Sequence, residues 1–331
     1  MKTEFTFKEA SQDAMGSVLH EAHLKRVAPS RLAPFAGTLM PLWFSSIQEE
    51  HHAVRSTAGL FDCTHMGVLS IRGEESVGFI NSVATNQVAR LADGQAQYAY
   101  LLNADGAILD DIIVYKRTDT DFLMVVNAGN AAKIKAWFKG LLADEFVIEP
   151  SDPNRSVTPK PVIEDLNPTS DNGLVDIALQ GPVSMDLLAQ IFDGEVESLR
   201  AMKPFRFLDG SLNGINCVIS RTGYTGAAMG FELLVHPKKA CELWTLLLDK
   251  GESLGVLPCG LGARDSLRIE AGLPLYGHEL AGEYGITPPE AGYGWAVKLD
   301  KDFFIGKAAM VKNREETTQK VVRVALPGGR G

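Results

Sequence analysis

The stretch Asn103-Ala-Asp-Gly-Ala-Ile-Leu-Asp-Asp-Ile-Ile-Val-Tyr115 sets two adjacent carboxylates at the mouth of an aliphatic strand. Asp105-Gly106 is a turn signal, because glycine tolerates positive φ and aspartate can bond its own backbone. Ile112-Ile113-Val114-Tyr115 reads as a mostly buried strand. Successive side chains of a strand point to opposite faces. One of Asp110 and Asp111 therefore points with Ile113, toward whatever that face covers. A carboxylate against apolar walls costs several kcal/mol unless something pairs with it.

Outward from this strand the pattern predicts a meander of Tyr98–Leu102, Leu109–Lys116 and Phe122–Val126, then a helix over Asn130–Leu142. The inner side of that helix is Ile134, Trp137, Phe138 and Leu141. Upstream, residues 1–18 form a polar lead-in. Ser46-Ile47-Gln48-Glu49 is a capping box that opens a helix through Arg55. Gly59 fits its end. Leu60–Gly67 follows, then a strand over Val68–Arg72 and a helix after Gly73. Residues 150–173 are rich in Pro, Ser, Asn and Asp and read as a surface excursion or linker. Then the order resumes: strand Val175–Leu179, helix Val183–Phe192, strands Asn216–Ser220 and Phe231–Val235, helices Pro237–Lys250 and Leu261–Ala271. The expected class is α+β: two units of mixed or antiparallel sheet with helices, over 19–149 and 174–316. Residues 317–331 read as the start of a further β domain, with Val321–Leu326 as its first strand.

The bulk numbers exclude some functions. The chain has 331 residues, 45% hydrophobic and 22% charged, and a net charge of −9 with no basic stripe. That argues against nucleic acid as the main partner. No apolar run reaches a membrane span, and the N-terminus reads as neither a secretory nor a transit signal. The four cysteines, Cys63, Cys217, Cys241 and Cys259, form no C-x-x-C pair and imply free thiols in a reducing cytoplasm. The seven histidines show no ligand spacing, so no metal is expected.

Three further segments could carry chemistry. Arg221-Thr-Gly-Tyr-Thr-Gly226, followed by Gly230-Phe-Glu232, lets backbone approach a ligand or a neighbouring element. It is neither a dinucleotide fingerprint nor a P-loop. Arg264 and Arg268 share a helix face. Arg264 sits in the first turn, where a cation opposes the helix dipole, so it serves another partner or an ion pair with a nearby acid such as Asp265. Gly292–Asp300 carries Tyr293 and Trp295 between glycines, suited to stacking on a flat ligand or to a core strand. The residues alone point to an α+β protein with a polar-lined cavity holding an acid, an arginine and an aromatic.

Taken together, the chain resembles the aminomethyltransferase of the glycine cleavage system, the T-protein family, over about residues 18–320. The segments that carry the likeness are Ala33–Gly37, Glu50–Arg55, Gly59–Asp62, Leu109-Asp110-Asp111, Val125–Ala128, Leu179–Pro182, Arg221–Gly226, Gly260–Arg268 and Gly292–Asp300. The resemblance implies a fold built around a central cavity that holds tetrahydrofolate. It implies transfer of an aminomethyl group from the lipoyl arm of H-protein, giving methylenetetrahydrofolate and ammonia. It matches Asp111 to the catalytic carboxylate. It matches Glu232 and Arg264 to folate contacts, Tyr98 and Tyr224 to cavity aromatics, and carries Asn127 and Trp295 as further folate-site positions. The chain departs from the pattern at Thr38, at Ala227-Ala228-Met229, in the length of 150–173, and in ending where the family begins its last β-rich domain. Two other activities share the scaffold: tetrahydrofolate-dependent demethylation of a small N-, O- or S-methyl donor, and non-catalytic folate binding. The second goes with a Gly-Cys-Tyr motif where this chain has Tyr276–Leu280.

Overall fold

A computed structural model describes residues 1–8, 13–157 and 160–324. The strands are β1 (Met15–Gly16), β2 (Leu32–Phe35), β3 (Thr38–Pro41), β4 (Ala58–Cys63), β5 (Gly67–Arg72), β6 (Gln95–Leu102) and β7 (Ile108–Thr118). They continue with β8 (Asp121–Val126), β9 (Val162–Asp165), β10 (Val175–Gln180), β11 (Phe207–Leu212), β12 (Ile215–Ser220), β13 (Gly230–Val235) and β14 (Val256–Cys259). The helices are α1 (His20–Leu24), α2 (Ile47–Ser56), α3 (Ser76–Val83), α4 (Ala131–Leu142), α5 (Ser184–Ile191), α6 (Val196–Arg200), α7 (Pro237–Gly251), α8 (Leu261–Ala271) and α9 (Lys307–Glu316).

Two large sheets face each other. One runs β6-β7-β8-β5-β9, the other β11-β12-β13-β10-β4-β14, and a small third sheet is β1-β3-β2. The pattern of β7 explains the layering. Ile112 and Val114 point outward and pack with Ile134, Trp137 and Phe138 of α4. Tyr115 and Ile113 point the other way and meet Phe207, Val218 and Leu234 of the second sheet. On the far side of that sheet, Ile177, Leu179 and Leu233 pack under Leu187, Leu243 and Trp244 of α5 and α7. Helices α4, α5 and α7 thus lie outside the two sheets, while α8 packs on the inner face of the second through Ala263 and Leu267, against Phe61, Cys63 and Ala178.

The meander, α4, α7, α8 and the Ser46 cap stand where the sequence places them, with the Ser46 side chain accepting from Glu49 N–H. Five expectations change. First, α2 stops at Ser56, and Gly59 lies inside β4, whose six residues are all buried. A strand covered on both faces shows no alternation, so its sequence hides it. Gly59 is needed for close approach: a Cβ there would sit 2.5 Å from Cys259 Sγ and from a Val54 methyl. Second, the 150–173 excursion contains β9, which pairs with β5 and completes the first sheet. Four residues between turn segments are too few to show a period. Third, β11 precedes β12 in a hairpin closed by Asn213-Gly214, both at positive φ; that dipeptide is the available signal. Fourth, the lead-in is not wholly solvated, since Phe5 stacks 4.9 Å from Trp137. Fifth, residues 321–324 form no strand; 325 and 326, the rest of that expected strand, lie outside the described residues.

The units are also not consecutive in the chain. β4, from the first half, lies between β10 and β14 in the second sheet. Tyr276, Leu280, Ala296, Phe304 and Met310 return to pack on Tyr100, Leu102 and Ile108 of the first.

Candidate active site

Asp110 and Asp111 diverge as the strand period requires. Asp110 is fully buried. It accepts from Asn127 N–H at 3.0 Å, Asn127 Nδ2 at 2.8 Å and Asn130 Nδ2 at 2.5 Å, tying β7 to the start of α4. Asp111 lies half-buried on the opposite face, directly across from Tyr100. It accepts from the Tyr98 hydroxyl at 3.0 Å and from Asn127 Nδ2 at 2.8 Å. One asparagine amide therefore spans both acids. Burial and the Asp111 charge push Asp110 up to about 8. Burial also raises Asp111, but the Tyr98 and Asn127 donors oppose it. Two adjacent acids in a dry site do not both ionise readily. Asp111 is the shallower member of the pair.

Aromatic rings wall this side. The Tyr98 ring lies 5.3 Å from Tyr100, 5.8 Å from Trp295 and 6.1 Å from Tyr293. Trp295 sits in a single 3-10 turn, Gly294–Ala296, rather than a core strand, and is 53% exposed, so it forms the open rim. Burial and the neighbouring Asp111 charge keep the Tyr98 hydroxyl protonated, hence a donor.

The second sheet supplies the facing wall. Glu232 on β13 accepts from the Thr222 hydroxyl, which also meets Ser220 Oγ at 2.9 Å. Burial raises the Glu232 carboxyl. The glycines of the 221–230 hairpin serve close packing. Gln180 threads beneath them, donating to Thr222 O and Phe231 O at 3.2 Å. A Cβ at Gly223 or Gly230 would lie 2.0 or 2.6 Å from Gln180 Oε1. Tyr224 donates its hydroxyl to Pro274 O at 2.7 Å and puts its ring 5.0 Å from the Arg264 guanidinium. Arg264 also donates to Cys63 Sγ at 3.1 Å. Asp265 pairs with Arg268 instead, at 2.7 Å. Among the described residues Arg264 makes no ion pair, which leaves its charge available to the pocket. Burial raises the Tyr224 hydroxyl, opposed by the Arg264 and Arg268 charges.

Asp111, Tyr98, Asn127 and Trp295 thus come together on the first-sheet side, and Glu232, Arg264 and Tyr224 on the second. Sequence reasoning missed Gln180, the keel of the hairpin, and Asp176, a buried acid beside Glu232. An acid inside Val175-Asp-Ile-Ala-Leu-Gln180 is the same signal as the Asp110-Asp111 stretch and could have found the latter. Among the described residues no group of three His, Cys, Asp or Glu side chains could hold a metal, and no helix is long and apolar enough to cross a membrane.

The model of the GCVT N-terminal domain matches residues 19–301. The chain belongs to the aminomethyltransferase family. An aminomethyltransferase of Geobacillus sp. (strain WCH70) is 42% identical over 295 residues, covering 88% of this chain and 74% of that relative. One from Anoxybacillus flavithermus (strain DSM 21510 / WK1) is 45% identical over 284 residues, covering 85% of this chain and 71% of the relative. The solved glycine cleavage system aminomethyltransferase T from Bartonella henselae superposes with a TM-score of 0.74 at 32% identity, covering 91% of this chain and 75% of that one. The sheets, helices and pocket described above are therefore the fold of an aminomethyltransferase, a group-transfer enzyme. The chain spans about three quarters of the length of these relatives.

Proposed function

We propose that this chain takes the aminomethyl group from the lipoyl arm of H-protein and passes its carbon to tetrahydrofolate, in the cytoplasm, with Asp111 as the catalytic carboxylate. The supporting observation is the facing arrangement of a half-buried acid held by Tyr98 and Asn127, and a cation-and-acid wall of Arg264 and Glu232. The donor set fits a reduced folate. Glu232 offers a carboxylate to adjacent N–H donors, Tyr98, Tyr224 and Trp295 offer aromatic surface, and Arg264 offers a cation that makes no direct salt bridge among the described residues. Bound folate supplies the two nitrogens that accept the carbon. As those carbon–nitrogen bonds form, the bonds to ammonia and to the lipoyl sulfur break, and the two protons lost from the folate nitrogens go to the leaving groups. The protein's part is electrostatic. Asp111 sets a fixed negative charge where positive charge develops on the carbon, and inside a pocket this acts more strongly than in water. Tyr98 and Asn127 hold that carboxylate in place.

The test is an assay that offers aminomethyl-loaded H-protein and tetrahydrofolate, with sarcosine and similar methylated donors in parallel. Methylenetetrahydrofolate is expected from the loaded carrier alone. Formation from a small methylated donor, and none from the carrier, would overturn the reading in favour of a demethylase. Binding of tetrahydrofolate with no turnover of either donor would mark a folate-binding protein.

A further inference from the structure

Asp176 is the second residue of β10, 4% exposed, in the layer between the two sheets. Its ladder partners are Cys63 on β4 and Leu234 on β13. Glu232 stands opposite Ala178, so it is the diagonal neighbour of Asp176 on the same sheet face. Diagonal neighbours on a sheet are within reach of long side chains. Asp176 Oδ1 is buried and meets no hydrogen-bond partner. The titratable and charged groups around it are Glu232, Cys63 and Asp62 from the second sheet, Tyr115 from the first, and Arg264 from α8. Asp62 lies across from Ile177 on the other face of the sheet and is bonded to His23, so on this layer two acids, Asp176 and Glu232, share one guanidinium.

We propose that Asp176 carries a proton which it donates to Glu232, making Asp176 the positioning residue for the acid of the ligand pocket. The identity of the ligand rests on the folate reading above. The charge count favours this state. With both acids ionised, one Arg264 cation would face two buried negative charges, and a buried charge without its partner is costly. With one proton, the cluster is neutral. Of the two acids, Asp176 holds that proton because it is deeper and has the orphan oxygen, while Glu232 already accepts from Thr222. Burial first, and the Glu232 charge second, push the Asp176 carboxyl well up, in keeping with this assignment. The proton gives Oδ1 a role as donor and fixes the Glu232 carboxylate from behind, so that its free lone pairs face the pocket.

The experiment compares wild type, Asp176→Asn and Asp176→Leu. Tetrahydrofolate affinity is measured by calorimetry from pH 6 to 9.5, beside carbon-13 carboxyl titrations of the ligand-free proteins. An asparagine amide can still donate to Glu232, whereas leucine cannot. At pH 7 Asp176→Asn is expected to bind within about threefold of wild type, and Asp176→Leu about tenfold more weakly, the loss of one hydrogen bond to a charged group. As pH rises, wild type should fall toward the leucine variant, because ionised Asp176 has no proton to give. Asp176→Asn should hold its affinity. Equal pH profiles for wild type and Asp176→Asn, or equal losses for the two variants, would overturn the proposal. If the leucine variant does not fold, the comparison of the first two profiles decides. If wild type binds no tetrahydrofolate at any pH, the folate reading fails by itself. The carboxyl titrations then decide the shared proton: a joint two-step titration of Asp176 and Glu232 sustains it, and two independent single steps end it.

Discussion

Each large sheet buries a pair of acids, and the two pairs solve the same problem differently. On the first sheet Asp110 and Asp111 are neighbours in sequence on opposite faces, joined by the Asn127 amide. On the second, Asp176 and Glu232 come from adjacent strands and share one face. In both, a deep acid stands behind a half-buried one that lines the pocket. The deep members differ in their donors: Asp110 receives three N–H groups, while Asp176 keeps an oxygen with none. A buried carboxylate surrounded by donors is part of the frame, and its loss leaves those donors unpaired. A buried acid short of a donor must bring its own proton, which couples it to its neighbour.

The largest expected effect falls on the pocket-facing member of the first pair. Asp111→Asn keeps the shape and removes the charge, so turnover should drop by roughly 10²- to 10³-fold, with folding unchanged. If Asp110→Asn slowed turnover more, the roles of the two acids would be reversed. Next comes the deep member: Asp110→Ala removes the acceptor of Asn127 N–H and Asn130 Nδ2, leaving Asn127 Nδ2 only its bonds to Asp111, and urea unfolding should show a loss of roughly 2–3 kcal/mol. A loss well under 1 kcal/mol would mean that Asp110 is no anchor. On the second sheet, Glu232→Ala should weaken tetrahydrofolate binding by roughly 1.5–3 kcal/mol in calorimetry; unchanged affinity would remove Glu232 from the site.

A smaller effect tests the donor rule on a third buried acid. Burial raises Asp62, but His23 at 2.7 Å, Ser17 Oγ at 2.6 Å and Thr64 N–H at 2.8 Å outweigh it and bring the carboxyl down to about 2. Its folded value is depressed, so its contribution is present above the ordinary value of 3.8 and is lost as pH falls toward 2. That contribution is roughly 2 kcal/mol. Unfolding curves between pH 5 and 2 should be steeper for wild type than for Asp62→Asn, and parallel curves would refute the assignment.

The sequence made much of this legible, and each failure has a physical cause. β7, β8 and β12 were readable as short apolar runs bounded by turn signals. α4 and α7 were readable by their helical period. β4 escaped because both of its faces are covered, β9 because it is only four residues long. The divergence of Asp110 and Asp111 followed from alternation alone. That Glu232 and Arg264 face Asp111 did not, since no local pattern states which sheet faces which; their placement came from resemblance. Asp176 escaped because its partner lies 56 residues downstream, at Glu232. The acid itself is visible within an apolar strand, but neither segment states that the two pair.

The seat of β4 bears on how the chain is made. β4 ends at Cys63, but its neighbours β10 and β14 begin only at Val175 and Val256. Its parallel partner is therefore synthesised some 193 residues later (256 − 63). At about 5–20 residues per second this is a wait of roughly 10–40 s. Until β10 emerges, six residues that end buried, Ala58–Cys63, have neither edge of their strand paired, and one edge stays open until β14 follows. The first sheet cannot shelter them, because their place is in the other one. A nascent chain halted between residues 70 and 170 should thus be held by a chaperone at this strand and released once β10 emerges.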